Sequence, residues 1–174
     1  MNVLAIDQAR KGGWCVMDYD TKKIVAIGMF DFPANKYTFI GAVVEICDLV
    51  EELMEKSGAS AVFIEDIQLR RNVSSFKKLA QLQGALAADF ERREYLYDFI
   101  PPTRWQSYCN ARGRSEKEKK AKLTEINTEG KKASKQLSIQ YVKEKFGIET
   151  ADDNLADAIC ICDYVVNNIE IRQK

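Results

Sequence analysis

The order of the apolar segments along this chain is the feature that most limits the folds it can adopt. Residues 2–7 form a short apolar run that ends in an acid, and the glycine-containing segment 11–13 after it is typical of a turn. Two more apolar runs, 14–19 and 24–30, are separated by the polar segment 20–23, which predicts a hairpin. We therefore expect the chain to begin with three antiparallel strands.

The rest of the chain alternates helical patterns with two more strand patterns. The apolar run 61–65 is typical of a buried central strand, and the run 96–100 is stopped by two prolines. Apolar residues recur at helical spacing in four segments: 37–56, 74–94, 134–146 and 153–169. Thr150 and Asp153 open the last segment with a pattern like a capping box. This order predicts an α/β fold with a five-stranded mixed sheet covered by helices, in a single domain spanning residues 1–174.

Composition excludes several kinds of chemistry. The chain contains no histidine, which excludes Ser–His and Cys–His nucleophiles and removes the commonest zinc ligand. Any hydrolysis must therefore use carboxylates, lysines or a metal. The five cysteines include no Cys-x-x-Cys pair, which predicts reduced, buried thiols. No apolar run approaches the roughly 18 residues of a membrane span, so we expect no membrane association and a cytoplasmic protein.

The net charge of zero hides a division along the chain. Residues 101–145 contain 12 Lys and Arg but only 5 Glu, which gives +7 there and −7 in the remainder. A basic segment beside an acidic remainder is typical of a protein that binds phosphates with one part and cations with another.

Two acids end predicted strands. Asp7 follows apolar residues, so we expect its carboxylate at the carboxyl edge of the sheet rather than on a solvated face. Glu65 ends the buried strand, which in this strand order lies beside the first one, and the two acids would then be neighbours. Either acid could instead turn to water. Asp66 should point to the opposite face, because side chains alternate along a strand.

Asp157 lies within a helical segment that is otherwise apolar. No Lys or Arg occurs between Lys145 and Arg172, so a distant base or a cation must balance this carboxylate if it is buried. Asp153 shares the same helix face, although its role could be limited to the helix cap. Carboxylates converging from two strands and a helix would suit Mg²⁺ or Mn²⁺. Two such ions about 3.5–4 Å apart can hydrolyse a phosphodiester without histidine.

The spacing of these acidic motifs is similar to that of a known family. The motifs are Ala5-Ile6-Asp7, Ile64-Glu65 and Asp153-x-x-x-Asp157-Ala158-Ile159, together with the sequence Phe-Ile-Pro-Pro-Thr-Arg-Trp at residues 99–105. With them the chain resembles the RuvC family of Holliday-junction resolvases over almost its whole length, most closely the phage-encoded members. The resemblance implies a ribonuclease H-like fold with helices on both sheet faces and a homodimer. It also implies Mg²⁺-dependent paired nicking of four-way junctions that leaves 5′-phosphate ends.

The resemblance also implies a ligand set. Asp7, Glu65, Asp153 and Asp157 would be the catalytic residues and would hold two Mg²⁺ ions, which Mn²⁺ could replace. The family places two aspartates three residues apart on its final helix, whereas this chain has Asn154 three residues before Asp157. Either Asp153 takes that role or Asn154 coordinates through its carbonyl, and the fourth ligand stays open. No motif identifies a branch-migration partner.

Basic side chains are expected to bind the DNA backbone. Arg70 and Arg71 follow Glu65 and should lie near the carboxylates, where they could hold the scissile strand or remain solvated. The other candidates belong to the basic segment: Arg112, Arg114, Lys117, Lys119, Lys120, Lys131 and Lys132. Some of these could instead form an ordinary charged helix face. Such charges bind phosphates without reading bases, so we expect salt-sensitive binding with weak sequence preference.

Other functions and features stay open at this point. The same acids could serve an RNA-directed or general structure-specific nuclease, and Asn154 could mark a decayed site in a junction-binding protein without catalysis. An ATPase of the sugar-kinase type would need glycine-rich phosphate loops that the chain lacks. Small residues on the second predicted helix, at 84, 85, 87 and 88, could meet a sister subunit, as two symmetric cuts would require. Trp105 and Tyr108 should pack against the sheet rather than stack on bases.

Overall fold

The computed structural model of this protein describes residues 1–68, 72–111 and 133–171. Five strands form one sheet: β1 (Asn2–Asp7), β2 (Lys11–Asp18), β3 (Ile24–Asp31), β4 (Ala59–Glu65) and β5 (Leu96–Ile100). The described helices are α1 (Phe39–Ser57), α2 (Val73–Arg92), α3 (Pro102–Tyr108), α4 (Ala133–Phe146) and α5 (Asp153–Asn168). None of these helices is both long enough and apolar enough to cross a membrane.

The sheet is mixed, with strand order β3-β2-β1-β4-β5. The pairs β1–β2 and β2–β3 are antiparallel, whereas the pairs β1–β4 and β4–β5 are parallel. The predicted α/β architecture is therefore confirmed. The C-terminal ends of β1, β4 and β5 all lie at one edge of the sheet, which we call the carboxyl edge.

Helices cover both faces of the sheet, as expected. In β1, Leu4 and Ile6 are fully buried in a core shared with α1 and α2, whereas Val3 and Ala5 are fully buried in a second core. The second core contains residues of α3, α4 and α5. The strict alternation along β1 assigns each strand residue to one of the two helical layers, and we call the layer of α3, α4 and α5 the α5 face.

The segment 11–13, predicted as a turn, is part of β2, and that prediction is wrong. The turn consists of residues 8–10 instead. A Cβ on Gly12 would lie 2.3 Å from the carbonyl oxygen of Asp7 and 2.4 Å from the ring of Phe30, and a Cβ on Gly13 would meet the backbone of α5. The two glycines thus serve close packing on the two faces of a strand rather than chain reversal.

The expected cap of α5 is also wrong. The N-cap is Asp152, whose Oδ1 accepts hydrogen bonds from the backbone N–H groups of Asn154 (2.9 Å) and Leu155 (3.3 Å). Thr150 precedes the helix and orders the N-cap residue, since Thr150 Oγ1 accepts a hydrogen bond from the backbone N–H of Asp152 at 3.0 Å. The N-cap of α5 is therefore Asp152 rather than a box formed by Thr150 and Asp153.

A buried ion pair fixes α4 on α5. Asp163 is only 1% exposed and accepts from Lys145 Nζ at 2.6 Å and from the Tyr141 hydroxyl at 2.6 Å. Nearby, Lys143 pairs with Glu149 at 2.8 Å. Two lysines of the basic segment 101–145 are thus bound to acids outside it, so the charge left for a phosphate partner is lower than the sequence count.

The cysteines behave largely as expected. All five are free thiols, and four of them are buried, with Cys47 intermediate. Burial raises the pKa of Cys15 and Cys160 well above the ordinary thiol range, because a thiolate would be poorly solvated there. These thiols are packing residues of the interior.

Candidate functional site

Two of the predicted site residues leave the sheet side by side. Asp7 ends β1 and Glu65 ends β4, and the parallel pairing of these strands aligns Ile6 with Ile64 directly before them. Both acids continue the strand positions that face α5, since Ala5 lies two residues before Asp7 in the core on that side. Both side chains are half-buried. The carboxyl edge therefore brings the first two acids together, as the strand order predicted.

Helix α5 also reaches this edge, where its first turn packs against Gly13 of β2. Asp7 is paired with Gly13 across the antiparallel β1–β2 ladder, so the side chain of Asp7 and the missing side chain of Gly13 point to the same face. A Cβ on Gly13 would lie 2.4 Å from the carbonyl oxygen of Asn154 and 2.6 Å from Leu155 Cα. The first turn of α5 is therefore in backbone contact with the strand position beside Asp7.

The first two turns of α5 carry the other predicted acids. Asp153 and Asp157 are four residues apart on α5, which puts their Cβ atoms about 5–6 Å apart on one helix face. Both are half-buried, as is Asn154, and one oxygen of Asp153, Oδ2, is buried from solvent. The fold thus directs acids from two strands and one helix to the same end of the molecule.

The chemistry of this donor set fits a hard divalent cation. Carboxylate oxygens are the ligands that Mg²⁺ and Mn²⁺ prefer, and the described residues contain no histidine that would favour a softer metal. Within the described residues, no three or more Cys, Asp or Glu side chains stand grouped closely enough to hold one ion without moving. The assignment of the four acids as metal ligands therefore stays a prediction.

The acid next to the predicted ligands has a different role. Asp152 is 19% exposed, and its Oδ2 lies 3.4 Å from Lys11 Nζ. Burial raises the pKa of Asp152, but hydrogen bonds from the N–H groups of Leu155 and Asn154 and the charge of Lys11 outweigh it, so the net pKa is lowered. Asp152 thus remains a carboxylate at neutral pH and holds α5 to the start of β2. Asp152 was not among the predicted site residues, although an Asp directly before a helix is a common N-cap signal.

A tryptophan touches one of the predicted ligands. Trp105 Nε1 donates a hydrogen bond to Glu65 Oε1 at 3.1 Å, and Trp105 is only 1% exposed. The prediction that Trp105 packs inside rather than stacking on bases is confirmed. Tyr108 also packs internally, with its ring 5.8 Å from that of Tyr164. The hydrogen bond to Glu65 was not foreseen, because nothing in the sequence pairs residues 40 positions apart.

A glutamine pair fixes the backbone behind the two strand-end acids. Gln8, 5% exposed, donates from Nε2 to the carbonyl oxygen of Glu65 at 2.8 Å and to Gln83 Oε1 at 3.2 Å. Gln83 in turn donates to Asp66 Oδ1 at 3.0 Å and accepts from the N–H of Ile67 at 3.2 Å. These bonds tie the ends of β1 and β4 to α2. They also place Asp66 on the face opposite Glu65, as predicted.

The predicted DNA-binding residues cannot be placed in the same way. Arg70, Arg71, Arg112, Arg114, Lys117, Lys119, Lys120, Lys131 and Lys132 all lie outside the described residues. The chain is described on both sides of residues 112–132. Ala111 is fully buried, and Ser138 of α4 packs against α5, where its carbonyl oxygen lies 4.0 Å from Cys160 Sγ. Residues on both sides of 112–132 are therefore anchored in the α5 face.

Similar proteins identify the family to which this chain belongs. Residues 3–162 match the family model described as "Crossover junction endodeoxyribonuclease RuvC". The chain belongs to the RuvC family. A RuvC of Sulfurovum sp. (strain NBC37-1), itself described as a crossover junction endodeoxyribonuclease, is 29% identical over 180 residues, covering 100% of both chains. The matched range includes both strand-end acids and both helical acids.

Solved structures show the same fold. Thermus thermophilus RuvC superimposes with a TM-score of 0.68 at 16% identity, covering 94% of this chain and 92% of that one. The Fowlpox virus resolvase, solved with substrate Holliday junction DNA, gives a TM-score of 0.56 at 14% identity, covering 97% and 99%. The predicted RuvC resemblance and the ribonuclease H-like fold are confirmed, and the chain is a member of a DNA endonuclease family.

Proposed function

We propose that this RuvC-family chain resolves four-way DNA junctions by metal-dependent hydrolysis, with Asp7, Glu65, Asp153 and Asp157 as ligands of two Mg²⁺ ions. The observation that carries the proposal is the backbone contact between Gly13 and the first turn of α5. This contact brings the backbone of the first turn of α5 against the strand position that pairs with Asp7, and Asp7 is next to Glu65 on the neighbouring strand.

The chain's own residues would hold and orient the reacting groups. Two bound ions would lower the pKa of the attacking water and stabilise the departing oxygen, which needs no histidine. The two strand-end acids are fixed by the sheet, and the two helical acids are fixed by the packing of α5. Rigid placement matters here because the protein would form no covalent bond to the substrate and would act by positioning the reacting groups. Mn²⁺ should substitute, because it accepts the same oxygen ligands.

The proposed substrate is a branched DNA, because family relatives act on or are bound to such DNA. The Thermus RuvC is solved in complex with Holliday junction substrate, and the Fowlpox resolvase with Holliday junction DNA. We propose paired, symmetric nicks with weak sequence preference and 5′-phosphate ends, in DNA recombination and repair in the cytoplasm, as in phage-encoded members. The arginines at 70 and 71 and the basic residues between 112 and 132 would bind backbone phosphates.

Paired cuts require two sites, so we propose a homodimer. The face of α2 that carries small residues supports it: Gly84 and Ala88 are exposed, and a Cβ on Gly84 would meet nothing within 4 Å. A bulky charge at this face should therefore leave the fold intact while disrupting pairing. Ala88→Arg is expected to convert a dimeric mass in sedimentation to a monomeric one. A wild-type monomer at micromolar concentration would contradict the dimer.

The decisive experiment is cleavage of an end-labelled synthetic four-way junction in Mg²⁺, with binding measured in parallel. Glu65→Gln removes one carboxylate charge at nearly constant shape. Glu55→Gln makes the same change at an exposed residue near the end of α1 and serves as the control. We expect wild type and Glu55→Gln to make paired nicks, whereas Glu65→Gln binds the junction without cutting it.

Two other outcomes identify the alternative functions. If wild type binds junctions but cuts none in either Mg²⁺ or Mn²⁺, the chain is a junction-binding protein, as a site decayed at Asn154 would predict. If wild type cuts an RNA–DNA hybrid much faster than a four-way junction, it is an RNA-directed nuclease. Comparable cleavage of junctions with scrambled sequences would support weak sequence preference, and strong preference for one short motif would refute it.

A further inference from the structure

The hydrogen bond between Trp105 and Glu65 joins two elements that are far apart in sequence. Trp105 lies on α3, which follows β5, whereas Glu65 ends the adjacent strand β4. The indole Nε1 and Glu65 Oε1 are 3.1 Å apart. We propose that Trp105 is a positioning residue, which holds the Glu65 carboxylate in the orientation that binds metal. The inference rests on the proposed function, in which Glu65 is a metal ligand.

Trp105 is well suited to hold a carboxylate without reacting. Its indole N–H can only donate a hydrogen bond, so the residue can be neither a metal ligand nor a general base. The side chain is 1% exposed and belongs to the core that contains Phe63 and Cys109, so the ring has little freedom to turn. A buried indole N–H requires an acceptor, and Glu65 Oε1 supplies it.

Glu65 is therefore held by hydrogen bonds to both its main chain and its side chain. Its carbonyl oxygen accepts from Gln8 Nε2 at 2.8 Å, and its carboxylate accepts from Trp105 at 3.1 Å. A glutamate side chain has several rotatable bonds and loses considerable entropy when it is ordered. The hydrogen bond from the indole restricts the Glu65 side chain before a cation binds.

This role predicts a defined loss. Substitution of a residue that hydrogen-bonds to a metal ligand usually lowers metal affinity or activity by about 10–100-fold. Trp105→Phe keeps a large aromatic ring and removes only the N–H and part of the ring. Trp14→Phe makes the same change at the other tryptophan, which packs over Gly28 of β3 and against the core on the opposite face of the sheet from α5.

Metal binding is measured with Mn²⁺ alone, from the electron paramagnetic resonance signal of the unbound ion, without DNA. Mg²⁺ dependence of junction cleavage is measured separately. We expect Trp105→Phe to weaken Mn²⁺ binding by about 10–100-fold and to raise the Mg²⁺ needed for half-maximal cleavage by a similar factor. Its junction affinity without metal should equal that of wild type. Trp14→Phe should match wild type in Mn²⁺ affinity and Mg²⁺ dependence.

A measurement without metal or DNA tests the contact itself. In ¹⁵N-labelled Trp14→Phe protein, the one remaining indole N–H resonance belongs to Trp105. Adding Glu65→Ala should move this resonance because the acceptor is lost, whereas adding Glu55→Gln should not. This readout tests the contact even if Trp105→Phe fails to fold, and an unchanged resonance refutes the positioning role.

The outcomes separate the two proposals. If folded Trp105→Phe binds Mn²⁺ and responds to Mg²⁺ like wild type, or if the indole resonance ignores Glu65→Ala, the positioning role of Trp105 is refuted while the proposed function stands. If wild type neither binds Mn²⁺ nor cuts junctions, the proposed function is refuted, and the metal role of Trp105 with it. The resonance shift would then show a contact that is structural only.

Discussion

Gly13→Ala is the substitution that tests most directly how α5 is placed at the carboxyl edge. Gly13 has a backbone conformation that alanine can adopt, since the positive-φ glycines among the described residues are Gly58 and Gly147. The added Cβ would nevertheless lie 2.4 Å from the carbonyl oxygen of Asn154 and 2.6 Å from Leu155 Cα, where ordinary contact begins at 3.4 Å. These are backbone atoms that cannot rotate away. Strand and helix must therefore separate by about 1 Å.

Such a displacement moves the acids of α5 away from those of the sheet. A misplacement of about 1 Å in a catalytic arrangement can cost roughly 10²-fold in rate. Overpacking should also lower the free energy of unfolding by about 1–3 kcal/mol. We expect Gly13→Ala to fold but to cut four-way junctions about 100-fold more slowly at saturating Mg²⁺, in single-turnover assays at a temperature where urea titration shows it native.

Gly84→Ala is a control for the effect of an added methyl group on stability only, and not on cleavage, because Gly84 lies on the face of α2 that is proposed to pair. Its Cβ would meet nothing within 4 Å, and replacing a glycine within a helix should raise the free energy of unfolding by up to about 1 kcal/mol. If Gly13→Ala is as stable and as fast as wild type, the close approach of α5 does not set the spacing of the acids, and the geometric basis of the proposed site is wrong.

Three more predictions concern the acids of α5. Asp163→Asn should lower the free energy of unfolding, measured in urea, by about 3 kcal/mol. This is the lower end of the range for a broken buried ion pair, because Lys145 is 38% exposed and can turn to water. An unchanged free energy of unfolding would contradict the pairing. Asp152→Ala should cost about 1 kcal/mol at pH 7. Because the folded pKa of Asp152 is lowered, this difference should persist above the ordinary aspartate pKa of about 3.9 and shrink as pH falls below it, whereas a constant difference would argue against the charged cap. Asp153→Asn should raise the Mg²⁺ requirement for cleavage at least about 10-fold while Asn154→Ala changes it little, and the reverse result would make Asn154 the fourth ligand.

The parts of the fold that could be predicted from sequence are those encoded locally. The run before Asp7 and the run before Glu65 are apolar without alternation, so they had to be central strands buried on both faces. Segments with helical periodicity were predicted to within a few residues of their observed ends. Because the strand order makes β1 and β4 neighbours, the convergence of their terminal acids followed from the same local patterns.

What escaped prediction depends on contacts between distant elements. Gly12 and Gly13 have the composition of a turn, and only the approach of α5 and Phe30 reveals that they are needed within a strand. The Trp105–Glu65 and Lys145–Asp163 pairs join residues brought together by packing, and no periodicity encodes them. A single sequence fixes which residues face inward but not which inward residues touch.

The structure sorts the acids of α5 by function, and this bears on the fourth ligand. Asp163, at the far end of the helix, is balanced by Lys145, and Asp152 is engaged with the N-terminal amides and Lys11. Asp153 lies on the same helix face as Asp157, in the turn of α5 whose backbone contacts the strand position that pairs with Asp7. An anionic carboxylate is a stronger ligand for Mg²⁺ than a neutral amide, so charge favours Asp153 over Asn154 as the residue that completes the set.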